Sequence, residues 1–159
     1  MRIKLRPYHP TWVISLFGQE SMPEGKNIEG FIEVMDKIRL NSDLQVKFVE
    51  DFDDICKKCN EHVEDDNGSV WGEKHSCSSS NNPDMVKTLN ETNKRILKVY
   101  GLQFGSVITW KKIVKILYER LPVLGDPELG RQQMYEKGLD KLSYLYKLSL
   151  TNHKIISLY

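Results

Sequence analysis

Apolar and polar residues alternate in two short stretches of the chain. Ile3 and Leu5 alternate with basic residues until Pro7, and Val46 and Phe48 alternate with polar residues about forty positions later. A period of two is the pattern of a strand with one buried face. The pattern therefore predicts two short strands, near residues 2–6 and 44–48.

The segment between the two strands has the spacing of a helix. From residue 27 to residue 40, the apolar side chains recur every three or four positions. A strand, a helix and a second strand in this order form a βαβ unit, in which the two strands are parallel and their carboxyl ends lie at one edge of the sheet. We therefore expect His9, shortly after the first strand, to lie beside Cys56, shortly after the second.

Helical spacing returns in the second half of the chain. Pro83 suits a first helical turn, and Gly101 suits the position just past a helix end. A loop is expected from 122 to 130, and a terminal strand or docked tail from 151 to 159. The predicted helices cover 83–100, 110–121 and 131–150, and the last of these contains Gly138.

The chain length and composition suit one compact unit. With 159 residues, of which 40% are hydrophobic, the chain can bury a core of its own. We expect a single, mainly helical α+β domain over 1–159 with a small two-stranded sheet. It would carry a metal-binding loop at 51–82 and a C-terminal helical extension at 131–159.

The overall charge does not specify a partner. The net charge is +1 and the sequence pI is about 7.7, so nucleic acid is an unlikely ligand. The apolar run from Trp12 to Phe17 is too short for a signal peptide or a membrane span. We therefore expect a cytoplasmic protein that does not enter a membrane, while its physiological partner and oligomeric state stay open.

All the cysteines lie in one polar segment. Cys56, Cys59 and Cys77 form the pattern Cys-x2-Cys-x17-Cys. Two thiolates separated by two residues can bind one ion, and seventeen residues let the chain return with a third. Residues 60–82 contain few large apolar side chains, so a bound metal is the expected source of order there. The spacing predicts a metal site.

The fourth ligand and the metal are not specified by this spacing. His9 is a candidate because of the strand topology, His75 because it precedes Cys77 by two residues, and His62 because it follows Cys59 by three. Three sulfurs and one imidazole suit zinc, and soft ligands of this kind also hold iron-sulfur clusters. Both cofactors remain open.

Three short motifs resemble a known family. They read LRPYH at 5–9, DDICKKC at 53–59, and GLQFGSVITW at 101–110. Together they resemble the bacterial and archaeal family called domain of unknown function 1284, over roughly residues 2–121. The resemblance implies no established activity. It implies an iron-sulfur centre held by cysteines, a role that Cys56, Cys59 and Cys77 match by position.

The chain departs from the family pattern at three positions. Tyr8 stands where the family commonly has a histidine, Trp12 where it has a cysteine, and Asn60 where it has a proline. The change at position 12 removes one sulfur ligand. His9 is then the surviving potential ligand of the N-terminal motif.

Two other functions compete with metal binding. The chain could be a redox protein, in which Cys56 is a thiolate with Cys59 as its resolving partner, activated by Lys57 and Lys58, or in which the cysteines hold a redox-active cluster. The acidic run at 50–54, expected to form a solvated turn with capping acids, would raise the pKa of the thiol and oppose this. A metal-free interaction module using the lysine-rich helix faces is a further alternative. No catalytic motif identifies a reaction, so enzyme activity stays open.

Overall fold

The computed structural model describes most of the chain in several ranges. The backbone is described at 1–20, 28–41, 43–50, 53–58, 62–64, 75–77, 83–119, 122–123, 131–147 and 156–157. Helices α1 to α5 cover His9–Gly18, Glu29–Leu40, Pro83–Tyr100, Trp110–Glu119 and Arg131–Leu145. Strands β1 to β7 cover Arg2–Leu5, Gln45–Phe48, His62–Glu64, His75–Cys77, Val107–Thr109, Pro122–Val123 and Ile156–Ser157. A short 3-10 turn covers Cys56–Lys58.

The central sheet has three strands in the order β1-β2-β5. Strands β1 and β2 are parallel, with Leu5 opposite Phe48, so the predicted βαβ start is confirmed. The prediction of a two-stranded sheet is wrong, because β5 pairs antiparallel with β2 through Val46 and Ile108. Strand β5 has only three residues. Three residues are too few to show an alternation of apolar and polar side chains. The pairing of β5 is decided by β2, which is distant from it in the sequence.

Helix α1 begins at His9 and was not predicted from the sequence pattern. Most of its ten residues are buried, including polar ones such as Thr11 and Ser15. A helix that is buried on nearly all sides has no polar stripe, and its periodicity is therefore weak. Pro10 in the first turn is compatible with a helix start because its missing N–H has no helical partner at that position.

Helix α5 packs against α1 through two glycines. A Cβ atom on Gly138 would lie 2.8 Å from the carbonyl carbon of Ile14, and one on Gly18 would lie 2.6 Å from that of Met134. Only a residue without a side chain permits this backbone contact. Gly138 is therefore a packing residue. Its helix was predicted to reach residue 150 but ends at Leu145.

The other predicted elements agree with the structure in most places. Helices α2, α3 and α4 are confirmed, and Gly101, with φ 68°, ends α3 in the left-handed conformation that favours glycine. The predicted loop at 122–130 is wrong at its start, where β6 pairs parallel with β7. The segment predicted as a loop at 51–82 contains the antiparallel pair β3 and β4.

The buried core joins the central sheet to helices α1 to α5. Its largest fully buried side chains are Trp110, Tyr135, Phe48, Ile3, Leu5, Ile14, Met35, Ile38, Leu44, Ile55, Ile96 and Ile113. Within the described residues, no helix has the length and apolarity that a membrane crossing needs.

Candidate metal centre

Two chain segments meet at the carboxyl edge of β1 and β2. After β1, the chain passes through Arg6 into α1, and after β2 it reaches the segment that runs from Asp53 into the 3-10 turn. The backbone N–H of Asp54 donates to the carbonyl of Lys4 at 3.1 Å, and that of Val49 donates to Leu5 at 3.0 Å. The parallel pairing therefore brings His9 next to Cys56, as the topology predicted.

Asp53 is the centre of the hydrogen-bond network at this edge. Its Oδ1 atom accepts from the backbone N–H groups of Ile55 and Cys56, both at 3.0 Å. Its Oδ2 atom accepts from the backbone N–H of Arg6 at 2.6 Å and from the Nδ1 atom of His9. A carboxylate offers about four lone-pair positions, and these four donors occupy them all.

The Asp53 carboxylate is ionised although it is completely buried. Burial by itself raises its pKa, but His9, Arg6 and the hydrogen bonds outweigh burial and lower the pKa to about 2. Asp53 accepts the backbone N–H groups at the start of the 3-10 turn, so the capping role predicted for the acidic run is confirmed at this residue. The expectation of a solvated turn is wrong here, because Asp53 has an exposed fraction of 0%.

The imidazole of His9 is neutral in this environment. Burial lowers its pKa below 6.5, and this outweighs the raising effect of the Asp53 carboxylate. Because Asp53 only accepts hydrogen bonds, His9 carries its proton on Nδ1. The lone pair is therefore on Nε2, the nitrogen that remains available to a ligand.

Cys56 is buried beside a cation. Its side chain is 5% exposed, and Nη2 of Arg6 donates to its Sγ atom at 3.0 Å. Burial raises the pKa of the thiol, and the charge of Asp53 raises it further, while Arg6 acts in the opposite direction. The thiol is therefore protonated at neutral pH in the metal-free protein.

The two lysines next to Cys56 form ion pairs with carboxylates. Lys57 binds Asp54 at 2.6 Å, and Lys58 binds Glu33 on α2 at 2.7 Å. Their charges are balanced by these partners. The expectation that these lysines would activate the thiol is therefore not supported, and the raised pKa of Cys56 opposes the redox interpretation.

Aromatic rings cover the polar network. The ring of Tyr8 lies 4.3 Å from that of His9, and the ring of Phe31 meets His9 edge-on at 5.5 Å. The backbone N–H of Tyr8 donates to the buried side chain of Asn93 at 3.2 Å, which ties this corner to α3. These contacts fix the ring of His9 and exclude water from it.

His9, Asp53 and Cys56 form a group that could hold a metal ion. One ligand atom from each lies within 4.8 Å of the other two. Because all lone pairs of Asp53 are in use, its role is to orient His9 and the 3-10 turn. The candidate ligands in this group are therefore Nε2 of His9 and Sγ of Cys56.

The other predicted ligands are located only in part. Cys59 lies outside the described residues. His75 and Cys77 are described by their backbone, at the two ends of β4, and His62 lies opposite Cys77 in β3. The sequence prediction missed Asp53 and Arg6. An aspartate three residues before Cys56 has the spacing for accepting the backbone N–H groups of that turn, and this was the available signal.

Comparison with protein-family models places the chain in a family. Residues 26–126 match the family model described as "Protein of unknown function (DUF1284)". The matched range contains Asp53 and Cys56, whereas Arg6 and His9 precede it. No curated protein and no solved structure matches the chain.

Proposed function

The chain belongs to the DUF1284 family, and we propose that it is a metal-binding protein that holds one zinc ion at the edge of its sheet. His9 and Cys56 are the two ligands whose surroundings support the proposal. Cys59 and Cys77 supply the other two, which gives a site of three thiolates and one imidazole.

The observation that carries the proposal is the bond between His9 and the saturated Asp53. Histidines that bind metals usually donate their second N–H to a carboxylate or a carbonyl, because this fixes the ring and increases the basicity of the coordinating nitrogen. The same carboxylate also accepts from the backbone N–H of Cys56, so it positions the second potential ligand as well.

The donor atoms favour a soft or intermediate ion. Thiolate and imidazole suit zinc and iron, whereas magnesium and calcium prefer oxygen. The buried thiol of Cys56 would lose its proton when it binds the ion, because metal ions bind the thiolate form. Arg6 would then donate to a charged sulfur, which is a stronger hydrogen bond than the one to a thiol.

Cys59 and Cys77 are proposed from their positions in the sequence. Cys59 follows Cys56 with two residues between them, which is the usual spacing of a chelating pair. Cys77 ends β4, whose partner strand β3 contacts the 3-10 turn of Cys56. With His9 as the nitrogen ligand, His75 is not needed at this centre.

The centre would stabilise the segment that follows the 3-10 turn. That segment is rich in polar residues and contributes little apolar surface for burial. Metal binding and folding are coupled in such segments, so the free energy of binding adds to the free energy of unfolding. The proposed role of the ion is structural.

Metal content decides the proposal. We expect protein purified without oxygen to contain one equivalent of zinc and no visible colour. Cys56→Ser and His9→Gln should each lose the ion and melt at a lower temperature, whereas the adjacent surface variant Lys57→Ala should keep it.

Two results would contradict this proposal in different ways. Wild-type protein without metal, or full occupancy in both ligand variants, would exclude the centre. A brown protein containing iron and sulfide would replace zinc by an iron-sulfur cluster while leaving the metal-binding function in place.

A further inference from the structure

One face of the central sheet is polar, basic and largely exposed. Successive residues of a strand belong to opposite faces, and the buried residues of β1, β2 and β5 lie on the face that meets the core. The other face, which we call the open face, consists of Arg2, Lys4, Gln45, Lys47, Val107 and Thr109. Lys47 and Thr109 are partly buried, and the other four residues are exposed. The open face is therefore accessible to solvent.

The strand register places two lysines side by side on the open face. Lys4 of β1 is the direct partner of Lys47 of β2. Neighbouring strands are about 4.8 Å apart, and like charges that face each other across two strands are destabilising. The pair therefore opposes the formation of the sheet that carries it.

Arg2 is held in one orientation near this pair. Its Nε and Nη2 atoms both donate to Oε1 of Gln45, at 3.2 Å and 3.0 Å. The amide of Gln45 is neutral, so it orients the guanidinium without balancing its charge. The edge formed by Nη1 and Nη2 can still donate two parallel hydrogen bonds to a carboxylate. Together with Lys4 and Lys47, Arg2 gives the open face three positive charges.

Acidic residues near the open face do not neutralise these three cations. The carboxylate of Asp54 accepts from the backbone N–H of Lys4, but its ion pair is with Lys57 at 2.6 Å. Asp43 and Glu50 flank β2, and neither forms an ion pair with a cation of the open face among the described residues. The whole chain has a net charge of only +1, so the excess of positive charge is local.

Further positive charge lies where β5 leads into α4. Thr109 of the open face accepts the backbone N–H of Lys112 at 3.4 Å and so caps the first turn of α4. That turn contains Lys111 and Lys112 and no acidic residue. Cations are unfavourable at the N-terminal end of a helix dipole. Positive charge is therefore concentrated here at a cost to the stability of both the sheet and the helix.

We propose that the open face is a docking surface for an extended, acidic segment of another polypeptide. Arg2 and Lys4 are two residues apart on β1, which separates them by about 7 Å. Alternate side chains of an extended segment have the same separation. A segment with glutamate or aspartate at alternate positions can therefore pair with both cations, and its charge relieves the repulsion between Lys4 and Lys47.

The composition of the open face favours an acidic polypeptide over nucleic acid. Proteins that bind single strands combine basic residues with aromatic rings on which the bases stack. The open face contains no aromatic residue. It also contains none of the residues proposed as metal ligands, so this inference goes beyond the metal-binding function and does not depend on it.

Binding of a labelled peptide to the full chain tests the docking surface. The probe is a short synthetic peptide in which glutamate alternates with threonine, and fluorescence anisotropy at physiological ionic strength measures its affinity. Lys47→Glu should weaken binding about 10-fold or more, because a charge-assisted hydrogen bond is lost. The same variant should melt at a higher temperature than wild type, because glutamate opposite Lys4 replaces repulsion by attraction.

Lys137→Glu is the matched control for this variant. Lys137 is exposed on α5, which packs on α1, and its replacement changes the net charge by the same amount. It should bind the peptide as wild type does. Lys4→Gln removes a charge of the open face without reversing it and should also weaken binding, so the test does not depend on the folding of Lys47→Glu.

Three results would overturn the docking surface as proposed. They are no binding by the wild-type protein, unchanged binding in Lys4→Gln, and an equal loss in Lys137→Glu, which would mean that only the net charge matters. Tighter binding of a single-stranded thymidine oligonucleotide than of the peptide would overturn the acidic polypeptide as the partner. Metal content plays no part in these measurements, so they are independent of the test of the metal centre.

Discussion

Gly30 of α2 lies directly against the backbone of Ile55. A Cβ atom at position 30 would come 2.9 Å from the Cα atom of Ile55 and still closer to its carbonyl oxygen. Ile55 is the residue before Cys56, and Phe31, next to Gly30, packs its ring on His9. The first turn of α2 therefore fixes the positions of both candidate metal ligands.

Gly30→Ala should destabilise the protein and weaken metal binding. At an open position in a helix, this change stabilises by up to about 1 kcal/mol. Here the added methyl group must displace the backbone of Ile55, and overpacking of this kind costs about 1 to 3 kcal/mol. Thermal melting and zinc affinity measure the two effects.

The adjacent variant Glu29→Ala is the matched control, because Glu29 is exposed on the same helical turn. It should leave both properties nearly unchanged. If Gly30→Ala were more stable than wild type, α2 and the turn of Ile55 could move apart at little cost in free energy.

Asp53→Asn should disrupt the site more than its small change in size suggests. The asparagine amide would present N–H donors where Asp53 now accepts, either to the backbone of Arg6 or to that of Ile55 and Cys56. Leaving buried N–H groups without their charged acceptor typically costs about 1 to 3 kcal/mol. Chemical denaturation should detect this loss, and zinc affinity should fall about 10-fold to 100-fold.

Asp54→Asn is the control for this variant. Asp54 also accepts a backbone hydrogen bond, from Lys4 at 2.7 Å, but its side chain is partly exposed and contacts neither His9 nor Arg6 by hydrogen bond among the described residues. Its effect on metal affinity should be small. Equal losses in the two variants would show that Asp53 has no special connection to the centre.

The stability of the metal-free protein should fall as the pH decreases below about 6.5. His9 has a lowered pKa in the folded state, so the unfolded chain takes up a proton there first, and protonation favours unfolding. The effect is absent above the ordinary pKa of histidine. Asp53 adds a second loss between its ordinary pKa of 3.8 and its folded value of about 2.

Urea denaturation from pH 5 to 8 in the presence of a chelator measures the histidine contribution. The slope from one residue is at most about 1.4 kcal/mol per pH unit. His9→Gln should be less stable at pH 8 but show a smaller slope than wild type, since the other histidines are present in both. Identical slopes would mean that His9 titrates alike in the folded and unfolded chains.

Local patterns predicted a large part of this architecture. The alternation around Ile3 and Val46 predicted both parallel strands, and the helical spacing between them predicted the crossover. From this topology alone His9 was expected beside Cys56, and the structure places them together. The reason is general, because two parallel strands have their carboxyl ends at the same edge of the sheet.

Other features depend on contacts between distant parts of the chain. The burial of α1 on nearly all sides removed the periodicity that would have identified it, and the contact of Gly138 with Ile14 spans more than a hundred residues. The third strand of the sheet is set by its pairing with β2. None of these has a local pattern that a sequence can display.

The sequence by itself determined which residue types are available at the sheet edge and which strand each of them follows. Strand and helix periods are local properties, so the sequence displays them. Only the tertiary structure decided their chemistry. It surrounds the Asp53 carboxylate with four donors, and it buries His9 so that the imidazole stays neutral, with Nε2 unbonded among the described residues. It also sets His62 opposite Cys77 in the hairpin. Burial and register arise from the packing of segments far apart in the chain, and they determine which side chains can act as ligands.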